Sequence, residues 1–118
     1  MSEASTAAPE RFVNLTPHKV NVVTPEGAEY EFASEGAARV DETGYTVLRQ
    51  HAGVEVRLTQ YGEIVGLPAP QPGVLYIVSS MVRDRAPTRR DLVSPDSGKT
   101  CLRDNGNIKA TRGFLGQL

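Results

Sequence analysis

Four guanidinium groups fall within nine residues, in Arg83-Asp84-Arg85 and Arg89-Arg90-Asp91. The planar fork of arginine holds phosphate or carboxylate through paired hydrogen bonds, so this cluster is a candidate site for a small anionic ligand or a nucleic-acid backbone. The simpler reading is a solvated face with internal Arg–Asp pairs, because Asp84 and Asp91 already offset half of the charge. No aromatic residue is interleaved with the arginines, which weakens the case for nucleic acid stacked along a single strand.

A second candidate is Asn14-Leu15-Thr16-Pro17-His18, where a proline interrupts an extended segment and can fix a side chain. His18 could serve as a general base if Glu63 or Asp91 stood beside it, and a small hydrolase or transferase is the alternative that this pairing raises. A buried or turn-capping histidine is the simpler expectation, with Asn14 and Thr16 bonded to backbone at the interruption. His51, Cys101, Glu63, Asp91 and Asp96 show no metal-ligand spacing, so neither a metal nor another cofactor is expected. Cys101 reads as a core thiol in a strand, since neither a histidine nor a helix N-terminus adjoins it to lower its pKa. No nucleophile elbow and no Gly-Lys-Ser/Thr phosphate loop occurs, so the balance leans away from an enzyme.

The elements that must position these residues are short strands. Val74 to Val78 is an unbroken apolar run, too short for an ordinary helix and introduced by Pro72-Gly73. It reads as a core strand covered on both faces, with Leu75 and Ile77 inside. Before it, Pro68-Ala69-Pro70-Gln71-Pro72 forms a stiff extended link. Lys19–Thr24 and Ala28–Ala33 flank Pro25-Glu26-Gly27 as a hairpin whose apolar face is Val20, Val22, Tyr30 and Phe32. Ala37–Val40 is extended. Tyr45–Leu48 and Val54–Leu58 form a second hairpin around the loop Arg49–Gly53, and Tyr61–Pro68 supplies another short strand. Ser79 or Ser80 caps a helix over Met81–Ala86 that Pro87 stops. Leu92-Val93 is extended, and Lys99–Arg103 and Ile108–Leu115 are strands around an Asp104-Asn105-Gly106-Asn107 turn. The sum is seven to nine short strands and one short helix. The fold class is mainly β, or α+β, built of short antiparallel strands and hairpins.

A chain of 118 residues forms one core, here assigned to residues 11–118, with residues 1–10 as a flexible tail. Thirteen basic against fourteen acidic residues give no general attraction to nucleic acid or to an anionic membrane, and no apolar stretch is long enough to span one. The N-terminus lacks the pattern of a secretory signal, and one cysteine cannot form an internal bridge, so a cytoplasmic setting is expected. Exposed sheet edges in so small a β domain make a homo-oligomer a further expectation.

With these segments read, the chain resembles a family of small phage- and prophage-associated proteins that carry an Asn-Leu-Thr-Pro-His segment near the N-terminus and have no established activity. The likeness rests on Asn14–His18, Ala38-Arg39-Val40, Tyr61-Gly62-Glu63 with Gly66-Leu67-Pro68, Pro70-Gln71-Pro72 through Ser79, Arg89 with Asp91-Leu92, and Gly106-Asn107-Ile108 leading to Thr111–Phe114. The resemblance spans nearly everything after the tail. It implies phage or prophage origin, and it draws Tyr61 and Glu63 into the candidate set beside Asn14, Thr16, His18, Arg83, Arg85, Arg89, Arg90 and Asp91. The chain departs from the family pattern at Val65, where a second acidic residue is usual, and in its helix arginines Arg83 and Arg85. A role for a carboxylate pair is not carried over. The function expected is that of a non-enzymatic accessory binding protein in the host cytoplasm, contacting a host or phage macromolecule or a small anion; the alternative is a structural or decoration protein of the virion.

Overall fold

The computed structural model describes residues 10–98, 101–104 and 106–118. The predicted tail therefore lies, apart from Glu10, outside the described residues, as do Lys99, Thr100 and Asn105 of the predicted C-terminal hairpin. The chain order is β1 (Arg11–Asn14), β2 (Val20–Val23), β3 (Glu29–Phe32), β4 (Arg39–His51), β5 (Val54–Val65), β6 (Val74–Ile77), α1 (Ser80–Arg85), β7 (Leu92–Pro95), β8 (Leu102–Asp104), β9 (Asn107–Ala110) and β10 (Phe114–Leu115). The domain is mainly β, with one short helix among the described residues.

Strand β6 is central, in the order β1-β6-β7-β10. Its neighbours β1 and β7 are parallel to it, and β10 closes the edge antiparallel to β7. Antiparallel pairing dominates the hairpins β2-β3, β4-β5 and β8-β9, while the central sheet is mixed. Two isolated bridges link the sheets. Asn14 pairs with Ser34 just after β3, and Val22 of β2 pairs with Thr111 just before β10. Hydrogen-bonded strands run β1-β6-β7-β10, and the two isolated bridges carry the circuit from Thr111, between β9 and β10, through β2 and β3 back to the end of β1, a small open-ended barrel closed by single bridges.

The outer face of β6 carries Val74, Tyr76 and Val78 into a core with Val13, Leu15, Ala38, Val40, Val82 and Leu92. Helix α1 covers this core through Val82. Ser79 is the N-cap, its hydroxyl accepting from the Val82 amide, and the helix stops short of Pro87 as its sequence requires. The expectation of cover on both faces holds for Ile77 and Val78, which are fully buried. Leu75 departs from it, with 36 % of its surface exposed.

Residues read as a short hairpin flanked by separate extended segments instead form one long ribbon, β4-β5. The predicted loop Arg49–Gly53 shrinks to Ala52-Gly53, whose φ angles of 51° and 81° are those of a tight type I′ turn. At roughly 3.3 Å per residue β4 spans about 40 Å. The predicted strand Ile108–Leu115 also changes. It breaks at Thr111-Arg112-Gly113, because the Thr111 hydroxyl accepts from the Gly113 amide and lies 2.7 Å from the Asp96 and Gly113 carbonyls. This local bonding replaces the ladder. Cys101 is buried, but in a bend just before β8.

The ribbon leaves the body at Gly66, where φ is +85° and a Cβ would stand 2.7 Å from the Ala37 carbonyl oxygen. Strain and backbone collision coincide there. Gly66→Ala is expected to lower stability by about 2–4 kcal/mol, read from urea midpoints, whereas Gly53→Ala, which meets no atom within 4 Å, loses about 1–2 kcal/mol from strain alone.

Candidate functional site

Because successive strand residues point to opposite faces, Phe12 points away from the helix-side core that takes Val13. It enters the barrel with Leu75 of β6 and Phe114 of β10. The β2-β3 hairpin, in register Val20↔Phe32 and Val22↔Tyr30, brings Val22, Tyr30 and Phe32 to the same space. All three phenylalanines of the chain meet here. Phe12 lies 5.1 Å from both Phe32 and Phe114, with tilted rings, and Tyr30 stacks on Phe32 at 6.2 Å. These are the offset and edge-on arrangements that aromatic quadrupoles favour.

The space they enclose is an open groove of about 960 Å³. Glu10, Arg11 and Gly73, at the starts of β1 and β6, line it together with Thr24 and Arg112. Arg11 and Arg112 against Glu10 give the rim a small positive excess. Its walls are mostly apolar, with the Thr24 and Tyr30 hydroxyls among them. A recess of this make-up is shaped to suit an apolar side chain or ring.

The other end of the barrel is tied by Asn14, which is fully buried. Its Nδ2 donates to the carbonyls of His18 (2.8 Å) and Phe32 (2.9 Å), and its Oδ1 accepts from the Thr16 amide at 3.0 Å. The Thr16 hydroxyl lies 2.7 Å from Asn14 Oδ1 and 2.8 Å from the His18 carbonyl. Asn14 and Thr16 thus bond to backbone at the interruption, as expected. His18 differs from expectation: its imidazole is exposed, and its carbonyl, not its ring, takes part in the knot.

The arginine segment is held internally. Arg89 makes a bidentate pair with Asp91, at 2.8 and 2.7 Å, and also donates to the Pro68 carbonyl. The hydrogen bond from Arg89 holds the Asp91 carboxyl below its usual range, and the same bond raises Arg89. Arg83 donates to the buried Ser94 hydroxyl at 2.8 Å and pairs with Asp84. The Arg85 guanidinium lies 5.3 Å from the centre of the Tyr61 ring, itself packed on the helix-side core. Arg90 donates to the carbonyl of Leu118. Each of the four guanidinium groups therefore has an intramolecular partner, and the internal pairs expected with Asp84 and Asp91 are both present.

Glu63 is exposed on β5. Among the described residues no hydrogen bond or ion pair joins His18 to Glu63 or Asp91, and no group of three metal-ligating side chains occurs. The structure brings Asn14, Thr16 and the His18 backbone together, and separately gathers the arginines with Asp91 and Tyr61. Phe12, Leu75 and Phe114, which the sequence reading did not select, define the groove. The signal available was that β1, β3 and the C-terminal strand each carry one phenylalanine, but their convergence depends on a circuit of pairings that no local pattern encodes. No helix among the described residues is long and apolar enough to cross a membrane.

Fold and groove together define a small mainly β domain with an apolar recess. Compared with protein-family models, with curated proteins and with solved structures, the chain finds no match.

Two substitutions test this assignment of polar groups to structure. Asn14→Ala leaves the Phe32 carbonyl and the Thr16 amide without their partner in a part-buried setting and is expected to cost about 1–3 kcal/mol, measured by chemical denaturation. Asp91→Asn removes a charge-assisted pair and is expected to cost about 1–3 kcal/mol near neutral pH. The Asp91 carboxyl titrates below its unfolded value of about 3.9, so its contribution is full above that value and is lost as pH falls through the lower folded value. The stability gap between wild type and Asp91→Asn should therefore close in strong acid.

Proposed function

We propose that this chain is a non-enzymatic accessory binding module of phage or prophage origin, working in the host cytoplasm, whose barrel groove receives an apolar segment of a host or phage protein. The observation that carries the reading is the meeting of Phe12, Phe32 and Phe114 with the half-exposed Leu75 and Tyr30 in one open recess. A core residue on the central strand is left partly uncovered there, and covering it is worth about 0.5–1 kcal/mol for Leu75 alone. Aromatic side chains at such a recess supply large contact area at low entropic cost, the usual make-up of a binding centre. The small-anion reading has less support, since Arg83, Arg85, Arg89 and Arg90 are already engaged within the chain.

A structural or decoration role on the virion is the second reading. The β4-β5 ribbon favours it, because an arm of that length suits contact between subunits. Mass spectrometry of purified particles separates the two: the chain stands among the virion proteins in one case and is absent in the other.

The binding module is tested by native mass spectrometry of the protein purified from lysogenic cells. Expected is a complex of fixed stoichiometry with one protein, lost in Leu75→Ser under conditions where circular dichroism shows the variant folded; its melt falls, because the greater part of Leu75 is buried. A retained small anion with no bound protein, released by Arg89→Ala, would replace the groove with the arginine segment as the site.

A further inference from the structure

The outer part of the β4-β5 ribbon is uncovered on both faces. Tyr45, Val47, Leu48, Val54 and Leu58 are exposed, Val54 to 66 %. Its two edges are not equivalent. The pairing register places extra residues in β4 at Thr43 and Leu48, which distort that edge, whereas β5 advances without a shift from Val54 to Tyr61. Bulges, lysines and prolines are the usual devices that keep an edge from pairing. Over Val54–Tyr61 strand β5 has none of them.

The direction of the free backbone groups on that edge follows from the turn. His51 and Val54 flank the two-residue connection and exchange hydrogen bonds across it, so alternate residues Val54, Val56 and Leu58 direct their amides and carbonyls toward β4. Glu55, Arg57 and Thr59 direct theirs outward. The side chains alternate as well: Val54, Val56 and Leu58 share one face, and Glu55 and Arg57 share the other.

This pattern is self-complementary. Laid antiparallel on a second copy about a two-fold axis at Val56, the strand sets Glu55 opposite the partner's Arg57 and Arg57 opposite the partner's Glu55, both at positions whose backbone groups face outward. On the other face Val54 meets Leu58, Leu58 meets Val54, and Val56 meets itself, an unbroken apolar ladder. Within one chain Glu55 and Arg57 already bond at 2.8 Å and 3.0 Å while both remain exposed, so the pair can be re-formed between copies. Only the ribbon tips overlap in this register, which leaves the two bodies at opposite ends.

We propose that the β5 edge at Val54–Leu58 is a homodimer contact, in which two ribbons join tip to tip into a four-stranded antiparallel sheet with reciprocal Glu55–Arg57 pairs. Five residues a side make a small interface, so the dimer is reversible and concentration-dependent.

The test uses the full chain in analytical ultracentrifugation over a concentration series. Wild type is expected to pass from monomer to dimer. Glu55→Arg and Arg57→Glu each put like charges opposite one another and should weaken the dimer by about tenfold or more. An equimolar mixture of the two variants should recover it as a heterodimer. Both variants carry the same repulsion inside their own strand, so recovery on mixing reports a contact between chains. In otherwise wild-type protein, Val56→Cys should give a covalent dimer under mild oxidation, because an antiparallel pair of this kind brings the Cα atoms to about 4.5 Å. A monomer at every concentration, a dimer indifferent to the charge variants, or no cross-link at position 56 would overturn the proposal. So would an open-ended series of masses, which would instead seat each ribbon tip in the groove of the next copy.

Discussion

Strand β6 must be covered on both faces and paired on both edges, because Val74 to Val78 carries no polar group but the Tyr76 hydroxyl, which donates to the Ala69 carbonyl. Each such residue contributes about 1.5–3 kcal/mol when fully buried, and a strand carrying several of them cannot lie at an edge without forfeiting that gain. The rest of the fold answers this demand. β1 and β7 take its two edges in parallel, and a parallel partner needs a crossover. Helix α1 makes one crossover and lays Val82 on the outer face. The other, between β1 and β6, contains the short hairpin β2-β3 and the long ribbon β4-β5. The base of β4-β5 packs on the outer face through Val40, Tyr61 and Ile64, and β2-β3 arches over the inner one. The inner cover stops short of Leu75, and the groove is that shortfall.

Polar residues in this domain are concentrated where strands end. Asn14 stops β1 and ties it to the end of β3, Thr111 divides β9 from β10 while bridging to β2, and Ser94 receives Arg83 across the top of β7. Arg89 and Asp91 brace the loop before β7, and Gln117 donates to the Ala86 and Arg89 carbonyls of that same loop. Buried polar groups that are fully bonded hold a junction rigid, and freeing one to meet a ligand would leave its partners unsatisfied. Asn14, Thr16, Arg83, Arg89 and Asp91, which look chemical in the sequence, are thus bonded within the fold, while His18 and Glu63 stay exposed.

The legible parts of the fold were those with local causes. Pro25-Glu26-Gly27 marks the β2-β3 turn, Ser79 and Pro87 bound the helix, and the apolar run marks β6; each was readable because the signal and the structure it specifies lie within a few residues. The ribbon was misread as shorter pieces for two reasons. Its turn uses Ala52 at a left-handed position, where asparagine or glycine would have announced it. Its strands also slip register three times, which breaks the alternation that would have joined them. The split of the last strand at Thr111 was hidden because a threonine side chain captures backbone in a segment of otherwise good strand formers. Of the candidate site, the Asn14 knot and the internal arginine pairs were readable from residue type and spacing. The groove was not, since Phe12, Phe32 and Phe114 are far apart in the chain and converge only when the strand circuit closes.

Groove and ribbon are opposite departures from a fully covered core. At the groove the domain lacks an element over an apolar floor; at the ribbon it has an element with no floor beneath it. Ordering a residue costs about 1–2 kcal/mol of backbone entropy, and a cross-strand pair returns only about 0.2–1 kcal/mol beyond its ladder hydrogen bonds. A two-stranded ribbon in water is therefore marginal on its own. Near Val40 and Ile64 the core supplies the difference. Toward Val54 the chain supplies only exposed contacts, the Glu55–Arg57 pair and the Arg57 guanidinium over the Tyr45 ring, and Tyr45, Val47, Leu48, Val54 and Leu58 all face solvent. The proposed tip-to-tip dimer would supply that cover, since the β5 edge, self-complementary in both charge and apolar pattern, is a surface that another copy also carries.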